Sequence, residues 1–172
     1  MLKEFSYGAV VYKIKKETKF EAKLETRLGA KLESKLQEEP LFALVRSKRN
    51  GNWGFPKGHE EKNESPLHTA RREIYEETGI REIKFIKYFQ RKDVYLIDGF
   101  RPETAGKRVE KHSIYFLVLA LSEPEKEHDE EIEDFQWFDF NAALGKLSFK
   151  SQKEILKDAY EIIKALITKR LP

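Results

Sequence analysis

The sequence predicts an α/β protein in which a mixed sheet is packed between helices. Three observations carry that reading. Apolar and β-branched runs of strand length recur along the chain. Two segments, residues 66–78 and 148–170, have helical periodicity and recognisable ends. The order strand, helix, strand, helix suits a sheet covered on both sides.

In chain order, "FSYGAVVYKI" (5–14) reads as a first strand and "LFALVRS" (41–47) as a second. Between them lies an insertion over about 18–40, "TKFEAKLETRLGAKLESKLQEEP", with a near-repeat, "AKLETRLG" then "AKLESKLQ". Phe20, Leu24, Leu28, Leu32 and Leu36 recur every fourth residue, and Ala, Leu, Lys and Glu favour a helix. The even positions are also apolar or small and the odd ones mostly charged, so a long hairpin turning near Gly29 fits equally. "IREIKFIKYFQRKDVYLI" and "KHSIYFLVLAL" are strands joined by the loop "DGFRPETAGKR", and "SEPEKEHDEEIED" leads into a short strand, "FQWFDF" (135–140). The last segment is an amphipathic helix with Ser151 and Glu154 as a capping box and Ile155, Ala159, Ile162 and Leu166 on one face.

A length of 172 residues suits one domain over 1–172. There is no cysteine, which excludes disulfides, thiolate metal sites and a thiol nucleophile. No run approaches the roughly 20 apolar residues of a membrane helix, and "MLKEFSYGAV" lacks a signal peptide's apolar stretch, so a cytoplasmic location is expected. The 33 basic and 30 acidic residues give a net charge of +3, too mild a bias to indicate a nucleic-acid partner but compatible with a phosphate-bearing small ligand.

The stretch "GFPKGHEEKNESPLHTARREIYEETGI" (54–80) is the most informative. Ser65 is a good N-cap, Pro66 suits the first helical position and Gly79 the C-terminal stop, predicting a helix over Pro66–Thr78 with Leu67, Ala70 and Ile74 as its buried stripe. At about 100° per residue, Glu73, Glu76 and Glu77 converge beside that stripe. A bare helix would resist this. Like charges at i+3 and i+4 repel, and Glu76 and Glu77 sit at the negative end of the dipole, where each costs roughly 0.3 to 1 kcal/mol. A hard divalent cation reverses both penalties, and an oxygen-rich donor set points to Mg2+ or Mn2+; a solvated acidic face is the plainer account of the helix taken alone.

From Gly58 the spacing is Gly, five residues, Glu64, seven residues, then "REIYEETGI". This resembles the Nudix box, whose nine fixed positions are met by Gly58, Glu64, Arg72, Glu73, Ile74, Glu76, Glu77, Gly79 and Ile80. The resemblance implies a Nudix-type α/β/α sandwich, a divalent-metal site and cleavage of nucleoside diphosphates linked to another group. Carried over by position, Glu73, Glu76 and Glu77 would bind metal with the Gly58 carbonyl, and Arg72 would pair with Glu64 to fix the loop on the helix. Glu76 or Glu73 would be the base that activates water. Glu131 and Glu130 are candidates for a carboxylate from outside the box, or simply parts of an acidic loop. The insertion does not belong to the usual family core.

Upstream residues are similar to those of the asymmetrically cleaving diadenosine tetraphosphate hydrolases: "WGFPKGHEE", "SYGAVVY", "KHSIYFLVLA", and a Glu six residues before the Trp of "EIEDFQW". By this resemblance Lys57 and Lys111 would hold phosphates, His59 would lie near the metal or the phosphate chain, and Tyr115 or Phe149 would stack on adenine. Taken alone, a Tyr in an apolar strand and a Phe at a helix start are more often core, and that is the plainer account of both. The expected substrate is therefore a dinucleoside polyphosphate. RNA 5′ pyrophosphate, oxidised guanine nucleotides and ADP-ribose are the alternatives, followed by a non-catalytic nucleotide sensor.

Overall fold

The computed structural model describes residues 2–24, 30–99, 102 and 104–169, with backbone alone over 17–24 and 30–36. The described elements are β1 (Leu2–Leu24), β2 (Ala30–Ser47), β3 (Trp53–Gly54), β4 (Lys57–His59), α1 (Pro66–Thr78), β5 (Ile83–Asp98), β6 (Arg108–Ala120), β7 (Ile132–Phe138), α2 (Phe140–Lys146) and α3 (Lys150–Thr168). The strands form one sheet with the path β3-β2-β1-β6-β5, to which β4 adds on β1 and β7 on β2. β1 and β6 run parallel from Leu2↔Val109 to Tyr12↔Leu119, and the other pairings are antiparallel, so the sheet is mixed as expected.

Strand alternation gives the sheet two apolar faces. Val10, Tyr12, Phe42, Leu44 and Leu117 pack with Ala143 and Leu147 of α2 and its flank and with Ile155, Leu156, Ala159 and Ile163 of α3. Ala9, Val11, Ala43 and Val118 face the other way, against Ile74 of α1 and Ile80. Each fully buried large aliphatic contributes about 1.5–3 kcal/mol, so helices are held on both sides. The result is the α/β/α arrangement expected from the sequence.

The insertion is a hairpin. β1 and β2 pair without interruption from Val11↔Ala43 out to Leu24↔Ala30, while the turn around Gly29 lies outside the described residues. Period two wins over helical propensity because both arms continue strands already paired in the core, where tertiary context overrides a few tenths of a kcal/mol per residue.

α1 has the expected bounds: Ser65 accepts from His68 N, Pro66 opens the helix and Gly79 closes it with a left-handed φ of 74°. Its stripe needs a correction. Ala70 and Ile74 are fully buried but Leu67 is 47% exposed, and Thr69, Glu73, Glu77 and Thr78 are the other buried positions. Near the C-terminus, the strand expected over 135–140 runs instead over Ile132–Phe138 and stops where Asp139 caps α2 by accepting from Ala142 N at 2.8 Å. The sequence reading missed α2. It also misplaced the start of α3: Phe149 is the N-cap with no side-chain cap, so Ser151 lies inside the helix and makes no capping box with Glu154. The inward stripe is Gln152, Ile155, Leu156, Ala159 and Ile163, leaving Ile162 and Leu166 partly buried at its edge.

Candidate active site

The end of α1, β4 and the loop before β7 open onto a cleft of about 1340 Å³, which also takes in the start of α3 and the outer ends of β5 and β6. Arg72 organises its acidic part. Its Nε and Nη2 donate to the two Glu64 oxygens at 2.8 and 3.0 Å. Its Nη1 donates to Glu73 at 2.7 Å and Glu76 at 2.8 Å, and Nη2 also reaches the His59 carbonyl at 2.8 Å. One guanidinium thus binds the loop to the helix, a role that its planar fork suits and an ammonium would not fill. Glu64 further accepts from Thr69 Oγ1 and Glu61 N. The Arg72 hydrogen bonds are the main cause holding its carboxyl down to about 2, against the opposing effect of burial.

Glu73 and Glu77 behave in the opposite way. Each is only 9% exposed. Burial pushes Glu73 up to about 7 despite Arg72, with Glu76 and Asp129 adding repulsion. Burial likewise pushes Glu77 up to about 8, opposed by the Lys57 charge and raised further by Glu73 and Asp129. Glu77 accepts from Lys57 N at 3.0 Å, which fixes the loop backbone over the helix. Gly58 is forced by close approach: a Cβ there would overlap the Glu73 carboxylate.

This donor set fits a hard divalent cation in chemistry: clustered carboxylates, two of them in surroundings that disfavour a bare charge. Among the described residues no three carboxylate or imidazole groups are already gathered around one point.

A second group borders the acidic one. Lys111 is 4% exposed and pairs with Glu4 Oε2 at 3.5 Å. His59 Nε2 lies 3.3 Å from the same oxygen and contacts Lys111 Nζ. Burial alone would raise the Glu4 carboxyl, but the His59 hydrogen bond and the Lys111 and His59 charges bring it below the ordinary range.

Lys57, Gly58, His59, Arg72, Glu73, Glu76, Glu77, Lys111, Glu131 and Phe149 all line this cleft, whereas Glu64 and Gly79 support it from the loop and the helix end. Two candidates are corrected. Tyr115 is fully buried, with its ring edge-on to Phe55 at 5.3 Å, so no face is open to a base. Glu130 is exposed and does not line the cleft. Sequence reasoning missed Glu4, Asp93, Asp129 and Gln152, which also carry polar groups at or beside the cleft. A lone charge at an inward strand position, as at Glu4 and Asp93, and a lone amide in an apolar helical stripe, as at Gln152, are the signals that mark them.

The NUDIX domain family model matches residues 15–159, a span that contains the whole of α1 and its loop. The chain belongs to the Nudix family. Among curated Nudix relatives, it is 30% identical over 133 residues to a Mycobacterium tuberculosis protein named as mutator protein MutT4, covering 76% of this chain but 51% of that protein. It is 30% identical over 126 residues to the Sus scrofa bis(5'-nucleosyl)-tetraphosphatase [asymmetrical], covering 71% of this chain and 80% of that one. It is 35% identical over 100 residues to the Bartonella henselae RNA pyrophosphohydrolase, covering 51% and 56% respectively. The match thus spans about half the length of two of these three relatives. In three dimensions the Nudix fold is shared with a C. elegans Ap4A hydrolase binary complex, at a TM-score of 0.66 and 18% identity over 96% of this chain and 98% of that one. Among the described residues no helix is long and apolar enough to cross a membrane.

Proposed function

We propose that this Nudix protein is a divalent-metal-dependent pyrophosphohydrolase that cleaves dinucleoside polyphosphates, converting diadenosine tetraphosphate and water to ATP and AMP. The observation that carries the reading is one cleft that joins the carboxylates of α1 to Lys57, His59 and Lys111. Glu73, Glu76 and Glu77, with the Gly58 carbonyl and Asp129 or Glu131 from the loop before β7, would hold Mg2+ or Mn2+. When bound, such an ion neutralises phosphate charge and acidifies water.

The remaining steps belong to the chain's own groups. Lys57, Lys111 and His59 hold the polyphosphate by charge-assisted hydrogen bonds, and Phe149 offers an exposed ring to a base. Glu76, the most exposed of the three box carboxylates, is the base: it takes a proton from the water whose oxygen attacks phosphorus as the P–O bond to the leaving phosphate breaks. Arg72 holds Glu76 in place. Residues 1–172 are read as one domain acting in the cytoplasm.

The substrate reading is supported by the relatedness to the Sus scrofa tetraphosphatase. The relatedness to the Bartonella henselae RNA pyrophosphohydrolase favours a second reading, removal of pyrophosphate from an RNA 5′ end. An anion-exchange product profile with Mg2+ and a panel of dinucleotides, 5′-triphosphorylated RNA, oxidised guanine nucleotides and ADP-ribose separates them. ATP plus AMP as the fastest products supports the first reading. Turnover of triphosphorylated RNA alone replaces it with the second.

A further inference from the structure

Gln152 is the one polar residue in the buried stripe of α3, otherwise Ile155, Leu156, Ala159 and Ile163. It is 5% exposed, yet it lines the cleft. Its Nε2 donates to the Tyr115 hydroxyl at 3.4 Å, and its Oε1 has no hydrogen-bond partner. A buried amide oxygen left without a donor costs about 1–3 kcal/mol, so a residue serving only to pack this stripe would be apolar. Room for the amide comes from Gly54, where a Cβ would approach Oε1 to 3.2 Å. One turn earlier on α3, Phe149 lies on the same cleft and is 49% exposed.

An exposed ring beside a buried amide with one unused acceptor is complementary to a nucleobase, which has a face to stack and an edge to read. We infer that Gln152 is a specificity residue whose Oε1 accepts a hydrogen bond from the exocyclic amino group of a base stacked on Phe149. The inference rests on the nucleotide reading above and deepens it: the site selects adenine over a keto purine. The Tyr115 hydroxyl positions the amide by engaging Nε2, which leaves the buried Oε1 as its unused acceptor. Hypoxanthine would set a carbonyl oxygen against Oε1, two acceptors with no proton between them. Sites that read a polar group reject the analogue lacking it far more strongly than apolar pockets do.

The test compares kcat/KM for diadenosine and diinosine tetraphosphate, with Mg2+, in wild type, Gln152→Met and Gln152→Asn. Met keeps the length and packing without the amide, and Asn keeps the amide but draws it back by one methylene. Wild type is expected to favour the adenine substrate by at least about tenfold. Both variants, checked for folding by thermal melts, are expected to reduce that ratio toward one through loss on the adenine substrate. A wild-type ratio near one, or a folded Gln152→Met protein that keeps the wild-type ratio, overturns the inference while leaving the hydrolase reading intact. If neither dinucleotide is cleaved while another nucleotide is, the substrate reading falls and the inference with it.

Discussion

The two parts of the cleft lining are built in contrasting ways. The acidic part comes mainly from 23 consecutive residues, Gly58 to Ile80, joined by Asp129 and Glu131 from the loop before β7, and its core is fixed by one side chain: Arg72 alone engages Glu64, Glu73, Glu76 and the His59 carbonyl. The remaining part is assembled from separate elements, Glu4 from β1, Lys111 from β6 and Phe149 and Gln152 from the start of α3, and it still has unpartnered atoms at Glu4 Oε1 and Gln152 Oε1. On the proposed function, the charge placement a cation would need comes largely from one loop and helix. The surface proposed to read the base comes from distant strands and a helix end, and keeps unused hydrogen-bonding capacity.

The largest loss is expected at Glu77. Its carboxyl is held up to about 8, so it is largely neutral at pH 7 without metal, and Gln is then close to a replica of the folded side chain. Glu77→Gln is expected to fold normally and lose activity on the order of 10²–10³-fold in kcat, as for loss of one group that stabilises the transition state. Retained activity in steady-state assays would show that the acidic cluster is not catalytic.

Arg72→Ala removes the pairing of three carboxylates and is expected to destabilise the fold by about 3 kcal/mol, measured by urea unfolding. Arg72→Lys should recover little, because an ammonium cannot serve both Glu64 oxygens and the two α1 carboxylates at once. In the other part of the lining, Lys111→Met is expected to lower kcat/KM by roughly 10- to 100-fold, mainly through KM, the value of one charge-assisted hydrogen bond to phosphate.

A pH series sharpens the contrast. Glu73 and Glu77 have folded values near 7 and 8, above their unfolded values, so between about pH 4.5 and 8 the folded protein binds more protons than the unfolded one. Metal-free stability therefore falls as pH rises through that window, and Mg2+ or Mn2+ should restore it by binding the ionised forms. Glu64 acts oppositely: lowered to about 2, it contributes stability above pH 4.5 that is lost as pH falls toward 2. Melting temperatures with and without chelator read both limbs. A smaller effect is expected at Tyr115→Phe, which leaves the buried Gln152 Nε2 without its acceptor and should cost about 1–3 kcal/mol in urea unfolding.

What was legible in the sequence follows the same division. The caps of α1 are legible because they depend on residues within one turn of each helix end, and the Arg72–Glu64 pair, which the resemblance to the Nudix box implies, is present at 2.8 Å. Leu67 was misread as buried because periodicity gives an arc of the helix and not its edge, and Thr69 and Thr78 occupy that edge instead. The hairpin and the helix stood level for residues 18–40 because the alternation supports both periods; only pairing to the sheet decides, and that is a long-range fact. Tyr115, a base platform by resemblance and core by its apolar strand context, is core in the fold, as the strand context alone suggests. Asp129 escaped notice beside Glu130 and Glu131. Its backbone N–H donates to the Glu76 carbonyl, a contact across more than 50 residues that no local pattern announces.

Burial raises the Glu73 carboxyl to about 7 and the Glu77 carboxyl to about 8, so at neutral pH the pair carries protons that the proposed divalent cation would displace. Calorimetric titration of Mn2+ into wild type and Glu77→Gln at pH 7, repeated in buffers of different ionisation heat, tests it directly. Saturable binding that releases about one proton or more per ion, abolished in the variant, is the predicted result. Equal binding by both proteins with no proton released would contradict the account.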